Sequence, residues 1–98
     1  MRKELKDYAN VGLILEDLQG KIDFAQVFGR CGPVHIEIGS GKGTFLVSQA
    51  AAQPQVDFLG IEWARKYYRY TMDRIGRRGL SNVRVLRADA PAFIRDLV

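Results

Sequence analysis

Val34-His35-Ile36-Glu37-Ile38-Gly39-Ser40-Gly41-Lys42-Gly43 runs from an apolar, β-branched segment into a turn with glycine at every second position. An amphipathic segment from Thr44 to Gln53 follows without a break. A strand that turns through glycines into the first turn of a helix holds a nucleotide-like ligand at the helix N-terminus. Glycine at such a turn lets the backbone approach the ligand and reach dihedrals that other residues adopt only with strain. Spacing narrows the ligand. The phosphate loop of nucleotide triphosphatases needs Gly-x-x-x-x-Gly-Lys-Ser/Thr, but Ile36 stands where its first glycine belongs and Gly43 follows the lysine. The dinucleotide fingerprint Gly-x-Gly-x-x-Gly is met at Gly39 and Gly41 and broken at Thr44. What remains is Glu-x-Gly-x-Gly-x-Gly, from Glu37 to Gly43.

Outward from this stretch the chain alternates strands and helices. Leu46, Val47, Ala50 and Ala51 fall at helical spacing within Thr44–Gln53, and Pro54 stops that helix. Phe58-Leu59-Gly60-Ile61 is a near-continuous apolar run, as in a parallel strand covered on both faces, and it ends at Glu62. From Ala64 to Arg78, Ala64, Tyr68, Thr71, Met72 and Ile75 form one stripe, with Arg65, Lys66, Arg69, Asp73 and Arg77 opposite. Gly79 followed by Leu80 suits a glycine C-cap. Val83–Arg87 reads as a third strand ending at Ala88-Asp89, and Ala90–Val98 as a helix with Asp89 as N-cap and Pro91 in its first turn. Before the glycine turn, Val11–Leu18 and Asp23–Phe28 read as short helices, the second capped by Asp23. Residues 1–30 are thus expected as an N-terminal helical extension and 31–98 as three parallel strands with flanking helices.

Length and composition agree with one small domain. Ninety-eight residues, 47% hydrophobic and 27% charged, suit a soluble globular chain with a thin core. Fifteen basic against eleven acidic residues give a net charge of +4, and the resulting pI near 9.5 suits a polyanionic partner. Cys31 is the sole cysteine, so neither an intrachain disulfide nor a cysteine-rich metal site can form, and a reducing, cytoplasmic setting is expected. No apolar run is long enough to cross a bilayer, and Met1-Arg2-Lys3-Glu4 lacks an apolar signal core. No membrane association and no metal site are expected.

Three carboxylates occupy equivalent places. Glu37 lies beside the first glycine, Glu62 closes the second strand and Asp89 the third, at spacings of about one strand–helix unit each. With right-handed crossovers the strands are parallel, and all three emerge at the carboxyl edge, where open α/β sheets bind ligands. An acidic residue about 20 positions beyond the glycine turn characteristically takes the ribose hydroxyls, and Glu62 sits there. A negative cluster in a basic chain suits a ribose without a nearby phosphate. S-adenosylmethionine meets that description, since it joins adenosine to a cationic sulfonium and an ammonium; attraction at 4 Å is about 4 kcal/mol before desolvation at an effective dielectric of 20. Glu37, Gly39, Gly41, Gly43, Glu62 and Asp89 are therefore the expected cofactor residues. Simpler roles stand beside these: Glu37 as an exposed strand residue sharing a face with His35, Glu62 as a strand end, Asp89 as an N-cap, Lys42 as a solvated loop residue. His35 has no partner in the motif and is read as structural. The basic face of Ala64–Arg78 is either a solvated surface or, given Tyr67, Tyr68 and Tyr70 among the cations, an RNA contact.

Asp23-Phe24-Ala25-Gln26-Val27-Phe28-Gly29, His35–Gly43, Phe58-Leu59-Gly60-Ile61-Glu62 and Gly79-Leu80-Ser81-Asn82-Val83-Arg84-Val85 together resemble the bacterial tRNA (guanine-N7)-methyltransferases. The resemblance covers most of the chain from Asp23 onward. The glycine loop with Glu62 is common to many class I methyltransferases, whereas Phe-Leu-Gly-Ile-Glu and Gly-Leu-Ser-Asn-Val-Arg are more particular. It implies a Rossmann-like fold, S-adenosylmethionine as cofactor, and Glu37, Glu62 and Asp89 at the family's acidic cofactor positions. It implies tRNA as partner, with the methyl passing to N7 of a variable-loop guanine; the basic helix face then makes Arg65, Lys66, Arg69 and Arg77 the residues expected to hold tRNA phosphates. The family's Phe-Pro-Asp-Pro-Trp segment, with its presumed catalytic aspartate, does not occur in these residues. No catalytic residue is therefore assigned, and the chain is expected to be the first half of the domain, inactive alone, with an open sheet edge suited to self-association. Two other functions stay open: a noncatalytic adenosine- or RNA-binding half-domain, and a class I methyltransferase with a small-molecule substrate.

Overall fold

The computed structural model describes residues 11–13, 21–39 and 43–97. Among them the order is β1 (Gly12–Leu13), α1 (Phe24–Phe28), β2 (Val34–Ile38), α2 (Thr44–Ala52), β3 (Asp57–Ile61), α3 (Arg65–Arg78), β4 (Val83–Leu86) and α4 (Ala90–Leu97). The strands form one sheet in the order β1-β4-β3-β2, every pairing parallel. Side chains of a strand alternate between faces, so each face gathers its own core. On one, Leu46, Val47 and Ala50 of α2 and Met72 and Ile75 of α3 pack with Phe58, Val83 and Val85. On the other, Ala90 and Phe93 of α4 join Leu59, Ile61 and Leu86, with Phe24 of α1 against them. The five residues of β3 are all buried, as a strand covered on both faces requires.

The elements stop where their residues dictate. The Asp23 carboxylate accepts from the Gln26 N–H at 3.2 Å and caps α1. Gly79, at φ 63°, closes α3, and the Leu80 N–H donates to the Ile75 carbonyl at 3.4 Å.

The N-terminal expectation requires correction. Gly12 and Leu13 are not helical; they pair in parallel with Val85 and Leu86 and add a fourth strand at the edge beside β4. The Val85 N–H donates to the Val11 carbonyl at 3.1 Å. A Cβ on Gly12 would lie 2.5 Å from the Tyr68 hydroxyl and 2.6 Å from the Met72 sulfur, so glycine allows β1 to approach α3. The same Tyr68 hydroxyl donates to the Leu13 carbonyl at 3.2 Å. The remaining residues of the expected first helix, 14–18, lie outside those described.

Asp73 is a second correction. It was expected on the solvated side of α3, yet it is 4% exposed. The Arg77 Nε donates to both of its carboxylate oxygens, at 2.9 and 2.8 Å. Burial of a carboxylate is tolerable where such a partner stands one helical turn away.

Two buried polar residues tie the layers together at the amino ends of the strands. Asp57 is held by Arg30, whose Nε and Nη2 lie 3.0 and 2.6 Å from its Oδ1, and whose Nη2 also reaches the Pro54 carbonyl at 2.7 Å. The hydrogen bond to Asp57 raises the Arg30 pKa above its ordinary value. Burial lowers that of Arg84, which lies over the Phe28 ring, with Asp57 opposing the shift. The Asn82 amide donates to the carbonyls of Ala50, Gln53 and Val56 at 2.9, 3.1 and 2.9 Å, joining the end of α2 and the approach to β3 to the start of β4. Asn82→Ala is expected to cost about 2 kcal/mol, because a buried amide and its three hydrogen bonds to carbonyls are lost together. Urea unfolding at fixed pH measures this, and a loss below about 0.5 kcal/mol, the range of ordinary surface substitutions, would refute the clamp.

Candidate functional site

The hydrogen-bond ladder runs past the ends of the strands. The Gly39 N–H donates to the Ile61 carbonyl at 2.8 Å and the Glu62 N–H to the Leu86 carbonyl at 2.9 Å, so the connections after β2 and β3 leave the sheet at one level. Glu37 is in register with Gly60. Glu62 follows two residues later on β3's continuation, so the two acids share the α2–α3 face with Cα atoms about 8 Å apart. Gly60 puts no side chain between them.

Glu37 is half-buried, and its Oε2 is enclosed without a hydrogen-bond partner among the described residues. A carboxylate oxygen in that state is costly unless a ligand supplies the missing donor. Glu62 is 8% exposed, and its Oε1 accepts from the Ala64 N–H at 3.2 Å, which orients the carboxylate at the strand end. Asp89 is exposed, and its carbonyl accepts from the Phe93 N–H at 2.9 Å as α4 begins. The fold thus brings Glu37 and Glu62 together on one face and sets Asp89 at the end of the next strand.

The glycines divide by physical role. Gly39 has φ 70°, and a Cβ there would meet no described atom within 4 Å: its backbone needs glycine, and no described residue crowds it. Gly43 has φ 78° and is buried; a Cβ there would lie 2.7 Å from Thr71 Cγ2 and 2.8 Å from its Oγ1. Glycine at 43 therefore serves packing between the start of α2 and α3, a reason that spacing in the sequence does not reveal. Gly41, with Ser40 and Lys42, lies outside the described residues. Gly43 offers no side chain to cap α2, and among the described residues no side-chain acceptor meets the first N–H groups of that helix.

Arg65, Lys66 and Arg69 are exposed on α3 as expected, whereas Arg77 is engaged by Asp73. Trp63, which sequence reasoning passed over, stands beside Glu62 and is 63% exposed. Arg87 spans it from the neighbouring strand end, its guanidinium 4.8 Å from the ring centroid and its Nε 2.9 Å from the Trp63 carbonyl. An aromatic next to a strand-end acid was the available signal. Among the described residues no cluster of three metal-ligating side chains occurs, and no helix is long and apolar enough to cross a membrane.

A parallel sheet with acids at the carboxyl ends of successive strands, behind a glycine turn, is the architecture of a class I methyltransferase domain. Solved structures carry the same fold: an antibiotic-related methyltransferase matches 69% of the chain with a TM-score of 0.56 at 24% identity. A precorrin-6y C5,15-methyltransferase from Geobacter metallireducens matches 93% with a TM-score of 0.60 at 18% identity. The chain belongs to the methyltransferase family described as "Putative methyltransferase", whose model matches residues 31–98. Similar proteins include the tRNA (guanine-N(7)-)-methyltransferases of Myxococcus xanthus, 40% identical over 82% of this chain, and Streptococcus suis, 39% identical over 80%. The chain spans 39% and 36% of those two relatives' own lengths.

Proposed function

We propose that this chain supplies the S-adenosylmethionine-binding part of a methyltransferase acting on N7 of a guanine in tRNA. The observation that carries the reading is the enclosed Oε2 of Glu37 at the glycine turn, which has no hydrogen-bond partner among the described residues, with Glu62 on the same face. These residues fit the cofactor by their chemistry. Glu62, oriented by the Ala64 N–H, takes the ribose hydroxyls; Glu37 meets the cationic amino-acid end; Asp89 lies toward the adenine. Among the described residues nothing crowds Gly39 and no side chain of the N-cap Gly43 caps α2, which suits the cofactor's carboxylate at that helix start. When bound, held by Glu37, Glu62 and Asp89, the cofactor would supply an activated methyl group for transfer to a ring nitrogen. The names of the relatives support tRNA as the substrate, and the exposed cations Arg65, Lys66 and Arg69 support a phosphate contact.

Glu37→Gln is the test, because its two effects have opposite signs. Replacing the enclosed carboxylate by a neutral amide is expected to stabilise the free chain by about 1 kcal/mol, raising Tm by about 4–8 °C. The same change is expected to weaken S-adenosylmethionine binding about tenfold, measured by isothermal titration calorimetry. A melting temperature that rises with an unchanged Kd would detach Glu37 from the cofactor.

A further inference from the structure

The outward face of α3 sorts its side chains into two kinds. Tyr68 is taken up by β1, and Asp73, the helix's single acid, is buried against Arg77. What reaches the surface is aromatic and cationic. Tyr67 and Tyr70 are 37% and 36% exposed. At about 100° per residue, Tyr67, Tyr70, Arg74 and Arg78 lie within an arc of about 80°, as one ridge. No exposed carboxylate interrupts it. The ridge points back to the carboxyl edge, where Trp63 stands exposed with Arg87 over its ring.

We infer that Trp63, Tyr67 and Tyr70 form a stacking ridge for unpaired bases of RNA, with Lys66 and Arg74 beside them on the phosphates. Exposed aromatics interleaved with cations are how proteins hold single strands: each base offers a π-face to a ring while the backbone follows the positive charge. A duplex keeps its bases stacked on one another and offers only phosphates. Charge complementarity selects a polyanion, and the aromatics, which a phosphate contact does not need, select one whose bases are open. The inference rests on the reading of an RNA substrate above and narrows it to unpaired nucleotides leading into the cofactor site.

Trp63 is the chain's single tryptophan, so its emission reports on its own surroundings. The 98-residue chain, saturated with S-adenosylhomocysteine, would be titrated with a short unstructured single-stranded RNA, with the corresponding duplex, and with heparin. Quenching of Trp63 is expected with the single strand and not with the duplex or heparin. The double variant Tyr67→Ala, Tyr70→Ala is expected to lose about tenfold or more in affinity for the single strand, at an unchanged slope of log affinity against log salt. Arg74→Gln is expected to flatten that slope by about 0.7, the change for one lost contact to a single strand. Far-ultraviolet circular dichroism checks that each variant is folded. Equal quenching by heparin, or a tyrosine double variant that binds normally, would reduce the ridge to a plain cationic surface and overturn the inference. Quenching by S-adenosylhomocysteine that RNA then leaves unchanged would give Trp63 to the cofactor and equally overturn it. Failure of the cofactor reading shows separately, as absence of S-adenosylhomocysteine binding by calorimetry.

Discussion

Replacing Glu62 by alanine is expected to weaken S-adenosylmethionine binding by about a hundredfold or more. Each ribose hydroxyl that donates to a carboxylate contributes about 1.5–3 kcal/mol, and two such bonds at the lower figure already exceed two decades in Kd. The expectation is at the strong end because the carboxylate is held in advance: Glu62 is buried, and the Ala64 N–H fixes one of its oxygens. Alanine also removes the partner of that N–H, so titrations belong well below the melting temperature of the variant. Glu62→Gln separates the two roles, since its amide oxygen can still accept from Ala64 while the negative charge is gone. Calorimetry should place Glu62→Gln between the parent chain and Glu62→Ala. A Kd for Glu62→Ala within a factor of two of the parent would remove Glu62 from the site.

Gly43→Ala is expected to destabilise the chain by about 3 kcal/mol, and Gly39→Ala by no more than about half of that. Both positions lie at positive φ, where a Cβ costs about 1–2 kcal/mol. Only Gly43 adds a collision, with Thr71 Cγ2 and Oγ1 inside 3 Å, and overpacking of that kind costs a further 1–3 kcal/mol or so. The division is checkable by a double-mutant cycle. Thr71→Ala removes the two nearest crowding atoms and leaves Thr71 Cβ at 3.1 Å, so Gly43→Ala in that background should cost about 1–2 kcal/mol less than in the parent. Additive effects of the two substitutions, measured by urea unfolding, would mean that the backbone conformation accounts for the whole cost.

The strands β2, β3 and β4 and the helices α2, α3 and α4 were readable to within a residue or two. Their signals are local: apolar runs, helical spacing, and stops at Pro54, Gly79 and Asp89. β1 was not readable, because two residues carry no periodicity and the place of Gly12 is set by Tyr68 and Met72, far along the chain. Asp73 was misplaced for a related reason. Helical geometry puts it among the cations, and the surface it meets there is invisible to a wheel drawn for one helix. Asn82 could be noticed as part of a phrase, but its three carbonyl partners come from the end of α2 and the approach to β3. At the site, Glu37 and Glu62 were found by their places next to a glycine and a strand end. That one oxygen of Glu37 is enclosed and unmatched among the described residues depends on packing from other elements, which no motif encodes.

The parallel sheet also fixes an order of assembly. A parallel neighbour cannot be reached through a tight hairpin, so each of β2, β3 and β4 closes on the next across a helix, through loops of similar length. β1 is different: it joins β4 across nearly the whole described chain, at the largest loop-closure cost in the sheet, for a ladder of two residues. Its docking therefore waits until α3 and β4 are in place to present Tyr68, Met72 and Val85. By the same imbalance β1 is expected to be the first of the described strands to exchange its amide protons, ahead of β2, β3 and β4.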